Sequence, residues 1–179
     1  TVKGIVRWAL RDAEGNRVSD MLEKACYAGA KAYCVTENGK TECGFAEDGM
    51  VIEIPALSAI WLDKVVFEGI DELSHYVDYS FNVEDQEEAV SAGTALFTAP
   101  KHFEFVDPEL ELAVKGNQIT VKAGAFAKSV YIASKSGKKL ELSDNFFDLT
   151  TGERTVCLEG GAAEPDDLTG QWVKDISGV

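Results

Sequence analysis

Long apolar runs are missing from this chain of 179 residues. No stretch approaches the ~20 consecutive apolar residues that a bilayer-spanning helix needs. The opening Thr1-Val2-Lys3-Gly4 passes into a strand pattern without the layout of a signal peptide. Histidine is nearly absent: His75 and His102 are the only two, and neither has a cysteine or acidic residue at a recognised ligand spacing. A histidine-rich metal site is thereby excluded. Cysteine is scarce as well. Cys26, Cys34, Cys43 and Cys157 show no Cys-x-x-Cys pair, and they divide three to one between the halves, so they are expected to be reduced, mostly small buried residues. No Gly-x-Ser-x-Gly elbow occurs, and nothing points to a cofactor.

Positive charge is in short supply, with 17 basic against 31 acidic residues and a net charge of −14. Such a surface repels nucleic acid and anionic membranes, which removes both as expected partners. The deficit is shared, with 9 basic and 18 acidic residues before residue 103 and 8 and 13 from there on, so neither half is a charged tail. The chain also starts without Met and in mid-strand, which suggests a segment of a longer protein.

What the chain does have is strand signal from end to end. Val6, Trp8 and Leu10 alternate with Arg7 and Arg11 before the turn residues 12–16. Residues 26–35 run to Glu37-Asn38-Gly39, a strong hairpin signal, and residues 50–54 halt at Pro55. Residues 61–67 form a further apolar run. Residues 75–83 then place Val77, Tyr79, Phe81 and Val83 on one face and Asp78, Ser80 and Asn82 on the other. Pro100 cannot continue an interior ladder, so a new unit is expected to begin near it, dividing the chain into 1–101 and 102–179. Residues 110–114, 119–122, 129–133, 145–149, 155–158 and 171–176 supply the strands of the second unit. Short strands every 8 to 12 residues, with helix at most incidental, predict an all-β protein of two tandem immunoglobulin-like antiparallel sandwiches.

The most distinctive string is Ser143-Asp144-Asn145-Phe146-Phe147-Asp148-Leu149, followed by Thr150-Thr151-Gly152-Glu153. Short polar side chains that bond their own backbone, a Phe pair and a tight turn are the makings of a sandwich corner. Asp144 and Asn145 are expected to hold that corner, with one of Phe146 and Phe147 pointing inward. The Asp-x-Asx-x-Asx-Gly register of a calcium loop is absent.

This string resembles the "SDNYFDLLPGE" signature of β-mannosidases and related exo-glycosidases of glycoside hydrolase family 2, with Thr150-Thr151 in place of Leu-Pro. Leu96-Phe97-Thr98-Ala99-Pro100-Lys101-His102-Phe103 resembles the join between the family's last two domains, and Trp8-Ala9-Leu10-Arg11-Asp12 with Gly15 the opening of the penultimate one. Val173-Lys174-Asp175-Ile176-Ser177 is similar to the closing strand. The resemblance implies a non-catalytic accessory region whose partners are upstream barrel and sandwich domains of the same chain. Two glutamates of that barrel would act by a retaining mechanism on terminal β-linked mannose. Glycan contact would arise only in the full enzyme.

No pair within this chain replaces those glutamates. Glu87-Glu88, Asp166-Asp167 and Asp71-Glu72 are neighbours in turn-like stretches and read as solvated turns. No catalytic, cofactor-binding or metal residue is therefore assigned, and Ser143, Asp144, Asn145, Phe146, Phe147, Asp148, Gly152 and Glu153 are taken as a structural motif. The rival readings are a free-standing carbohydrate-binding module and a surface adhesion module. A binding module needs exposed aromatics. Trp8 is in phase with the core, Trp61 is expected to be buried, and Trp172 is the best candidate for a surface role. An accessory role adds one expectation, exposed apolar surface near the first sandwich.

Overall fold

The computed structural model describes residues 1–18, 35–37, 40–42, 45–46, 49–61, 67, 69–84, 86, 89–160 and 163–177. Two compact units result. One comprises Thr1–Arg11, Arg17–Asp71 and Tyr76–Ala95, the other Asp12–Asn16, Glu72–His75 and Leu96–Val179.

In the first unit the strands are β1 (Val2–Arg11), β2 (Val35–Glu37), β3 (Lys40–Glu42), β4 (Phe45–Ala46), β5 (Gly49–Ile54), β6 (Tyr76–Val83) and β7 (Ser91–Leu96). Five form one sheet in the order β4-β5-β1-β6-β7, and β2 pairs with β3. The register Glu37↔Lys40 brackets Asn38 and Gly39, which themselves lie outside the described residues. Direct pairs on antiparallel strands share a face, so Val6↔Met50 and Val6↔Phe81 put those three side chains together. With Trp8, Ile52, Ile54 and Ile60 they make the apolar cluster. The alternation read in β1 and β6 is this division. The opposite face joins Arg7 to Asn82 by a 3.1 Å hydrogen bond and Arg11 to Asp78 by a 3.0 Å ion pair.

Proline and loop chemistry end the regularity after β5. Ser58 Oγ donates to the Pro55 carbonyl at 2.8 Å, and Leu57 adopts a left-handed φ of 55°. Trp61 is 98% exposed, so its expected burial is wrong. It lies outside any strand, and the alternation that buries Trp8 does not operate there. Most of the 61–67 run falls outside the described residues, as do the 26–34 run, Cys26, Cys34, Cys43, Glu87 and Glu88.

The second unit is a two-sheet sandwich. Its strands are β8 (Glu111–Lys115), β9 (Gln118–Ala123), β10 (Ala127–Ser134), β11 (Glu141–Leu142), β12 (Phe147–Leu149), β13 (Gly152–Gly160) and β14 (Leu168–Gln171). One sheet runs β11-β13-β9-β8, the other β12-β10-β14. In β9, Ile119, Val121 and Ala123 are buried at every second position, the mark of a strand with one face in the core. Val156 of β13 joins them from the same sheet. Ala127, Val130, Ile132, Phe147, Leu149 and Leu168 complete the core from the other. The hairpin between β8 and β9 closes at Lys115↔Gln118, and Gly116 takes the φ of +63° that such a two-residue turn requires.

Two expectations fail at the C-terminal end. The strand expected over 171–176, with the closing strand it resembles, ends at Gln171, and α1 (Val173–Ser177) follows. The Trp172 N–H donates to Asp175 Oδ2 at 3.2 Å while the Asp175 N–H donates to the Trp172 carbonyl at 3.0 Å. This local capping outcompetes a ladder. Trp172 is not a surface residue but 6% exposed, meeting Phe105 edge-on at 5.4 Å in a cluster with Phe103 and Phe126.

Candidate functional site

The residues 143–149 form a corner that draws together three strands of the second unit. Ser143 starts it: its N–H donates to the Cys157 carbonyl at 2.8 Å and its Oγ accepts from the Cys157 N–H at 2.9 Å, fastening the chain to β13. Asn145 then turns its amide onto β10. Its Oδ1 accepts from the Ile132 N–H at 2.9 Å and its Nδ2 donates to the Ile132 carbonyl at 3.1 Å. The Asn145 N–H is itself taken by Asp144 Oδ1 at 2.8 Å.

The Phe pair splits between inside and outside. Phe147 is 6% exposed and enters the core, with the Arg154 guanidinium 4.6 Å from its ring centroid. Arg154 also pairs with Asp144. Phe146 is 60% exposed, adopts a φ of +62°, and lies nearly parallel to Tyr131 at 4.7 Å and 19°. A left-handed residue breaks the strand alternation, so the next residue, Phe147, is the one returned to the core.

Asp148 serves a β-bulge. The register of β10 on β12 slips between Ala127 and Val130, and Ser129 there has φ +54°. Its N–H, released from the ladder, donates to Asp148 Oδ1 at 2.9 Å, and Lys128 Nζ reaches Asp148 Oδ2 at 2.9 Å. Gly152, at φ +92°, makes the turn into β13, where Glu153 stands opposite Lys122. Asp144 and Asp148 each hold a cationic side chain, and Asn145 is spent on backbone, an arrangement suited to holding a corner rather than a metal ion. Among the described residues no group of three or more His, Cys, Asp or Glu is placed to hold a metal ion.

Of the acidic pairs, Glu87-Glu88 lies outside the described residues. Asp166 and Asp167 sit in a 3₁₀ turn, where Asp167 accepts from Ser134 Oγ at 2.6 Å and from Ser136 Oγ and N at 2.9 and 2.8 Å. The Ser134 hydroxyl above all, with Ser136, holds the Asp167 carboxyl below its ordinary 3.8. That favours a permanent anion, unlike a general acid. Asp71 and Glu72 are exposed. In the first unit a groove of about 640 Å³ is lined by Lys3, Ile5, Arg7, Val51, Asn82 and Glu84, among others. Among the described residues Glu84 is the only carboxylate on its wall. The residues sequence reasoning missed are Tyr131, Lys128 and Arg154. They reach the corner across the sheets, and nothing in their local sequence signals it.

Residues 105–176 match the family model of the mannosidase Ig-fold domain. A comparison with curated protein sequences returned no match. Among solved structures the chain is similar to beta-D-mannosidase from Dictyoglomus thermophilum, with a TM-score of 0.64 and 14% identity, over 96% of this chain and 18% of that one. At that identity the likeness speaks for the fold, and the chain spans less than a fifth of that protein's length. The all-β class therefore stands, and the expected kinship is supported over residues 105–176, which carry the corner and match the mannosidase Ig-fold domain family.

Proposed function

We propose that this chain is the C-terminal accessory region of a β-mannosidase-like exo-glycosidase, two tandem immunoglobulin-like domains over 1–101 and 102–179 that support a catalytic barrel elsewhere in the same protein. The match of residues 105–176 to a domain family of mannosidases carries the reading. Fold likeness over nearly the whole chain to a small part of a β-mannosidase supports it. The corner residues support a structural role here, because each polar group is engaged with backbone or an opposite charge.

In this reading the barrel supplies both carboxylates of a retaining hydrolysis of terminal β-linked mannose. The exposed Leu57 and Trp61 of the first unit suit cover by another part of the longer protein. The test is truncation. Removing residues 1–179 from the longer protein should lower its melting temperature and its activity on an aryl β-mannoside; an enzyme of unchanged stability and activity would contradict the accessory role.

A further inference from the structure

We propose that Phe146 and Tyr131 form a stacking platform on the second unit for the apolar face of a neutral pyranoside. Phe146 is the odd residue of the corner. A left-handed backbone suits Gly or Asn far better than an aromatic side chain, yet a phenyl ring stands there, 60% exposed, where burial does not explain it. Strain of this kind persists only where the surroundings over-determine it. Here they do: the Phe146 N–H donates to Asn145 Oδ1 at 3.2 Å, Asn145 is locked onto Ile132, and the ring is steadied by Tyr131 at 4.7 Å. Tyr131 thus backs one face of the Phe146 ring, and the other face of that exposed ring is the platform, at the outer face of the β12-β10-β14 sheet.

The surroundings select the ligand class. Tyr131 pairs directly with Gln171 across the ladder, and Ala133, two residues on, pairs with Thr169, so an amide and a hydroxyl residue share the face that carries the rings. Aromatic surface flanked by short polar groups matches a sugar, which has one C–H-rich face and a rim of hydroxyls. A net charge of −14 disfavours an anionic sugar and leaves a neutral one unopposed. The site belongs to the 179-residue chain itself, so it stands or falls apart from the accessory role.

The test is an NMR titration of the 179-residue chain with methyl β-mannopyranoside, mannobiose and cellobiose, reading the ring resonances of Phe146 and Tyr131. Two variants accompany it. Phe146→Asn removes the ring while favouring the left-handed backbone, so the fold is kept, which thermal unfolding verifies; Phe146→Tyr keeps the ring. The expected result is a saturable shift at both rings with at least one sugar, retained in Phe146→Tyr and weakened about tenfold or more in Phe146→Asn, a loss of roughly 1.4 kcal/mol. No saturable shift with any of the three sugars overturns the proposal. So does binding undiminished in Phe146→Asn, or a response that follows protein concentration instead of sugar, which would make the rings a contact between copies.

Discussion

Asn145 pairs with Ile132 as a strand residue would, its side-chain amide accepting from the Ile132 N–H and donating to the Ile132 carbonyl at 2.9 and 3.1 Å. Ile132 is 1% exposed, so water does not readily replace that partner. Asn145→Ala leaves both backbone groups unpaired and is expected to cost about 2–3 kcal/mol. Asn145→Asp keeps the acceptor but sets a carboxylate oxygen against the Ile132 carbonyl, so it should also destabilise, less at acid pH than at neutral pH. Urea unfolding of the three proteins at two pH values checks both expectations.

Phe146 and Phe147 are adjacent yet should respond in opposite ways. Truncating Phe147 to Ala opens a cavity in the second core and is expected to cost about 3–5 kcal/mol. At Phe146, relief of a left-handed backbone is worth about 1–2 kcal/mol, against a lost ring pair of about 0.5–1.5 kcal/mol. Phe146→Asn should therefore leave the melting temperature nearly unchanged or slightly raised. Thermal unfolding monitored by circular dichroism separates the two.

Asp167 ties the turn at 134–136 to the start of β14 through Ser134 and Ser136. Its carboxyl is held below 3.8 in the folded chain, so its contribution is fully present above the unfolded value and is lost as pH falls through the folded one. The stability difference between the parent protein and Asp167→Asn should be constant near neutral pH and shrink below about pH 4. A difference that grows on acidification would contradict this assignment.

Cys157 is a free, half-buried thiol whose backbone, not its sulfur, engages Ser143. All four cysteines are expected to react on alkylation under denaturing, non-reducing conditions, giving four labels by mass. Two or fewer would reveal a bridge and an oxidising environment.

Much of the fold was legible because period-two burial is written directly into β9 and the residue alternation of β1 and β6 assigns their faces, although Tyr79, on the expected apolar face of β6, is 45% exposed and Tyr76, on the other, is fully buried. The corner's polar logic was legible too, since Ser, Asp and Asn bond nearby backbone wherever they sit. The orientation of the Phe pair was not. It depends on the left-handed φ of Phe146, which in turn depends on Asn145 finding Ile132 thirteen residues away. Trp61 and Trp172 were assigned the wrong environments for a related reason. The first lies beyond the strand whose alternation would place it, and the second is buried by Phe105, brought to it only by the fold. The C-terminal helix hinges on one carboxylate, Asp175, reaching back to Trp172.

The accessory role is tested most directly by activity. The purified 179-residue chain and the longer protein that contains it should be assayed side by side on an aryl β-mannoside. The account requires turnover by the longer protein and none by the chain alone above a buffer blank. Turnover by the isolated chain that survives repurification, or a longer protein inert toward the β-mannoside, would contradict it.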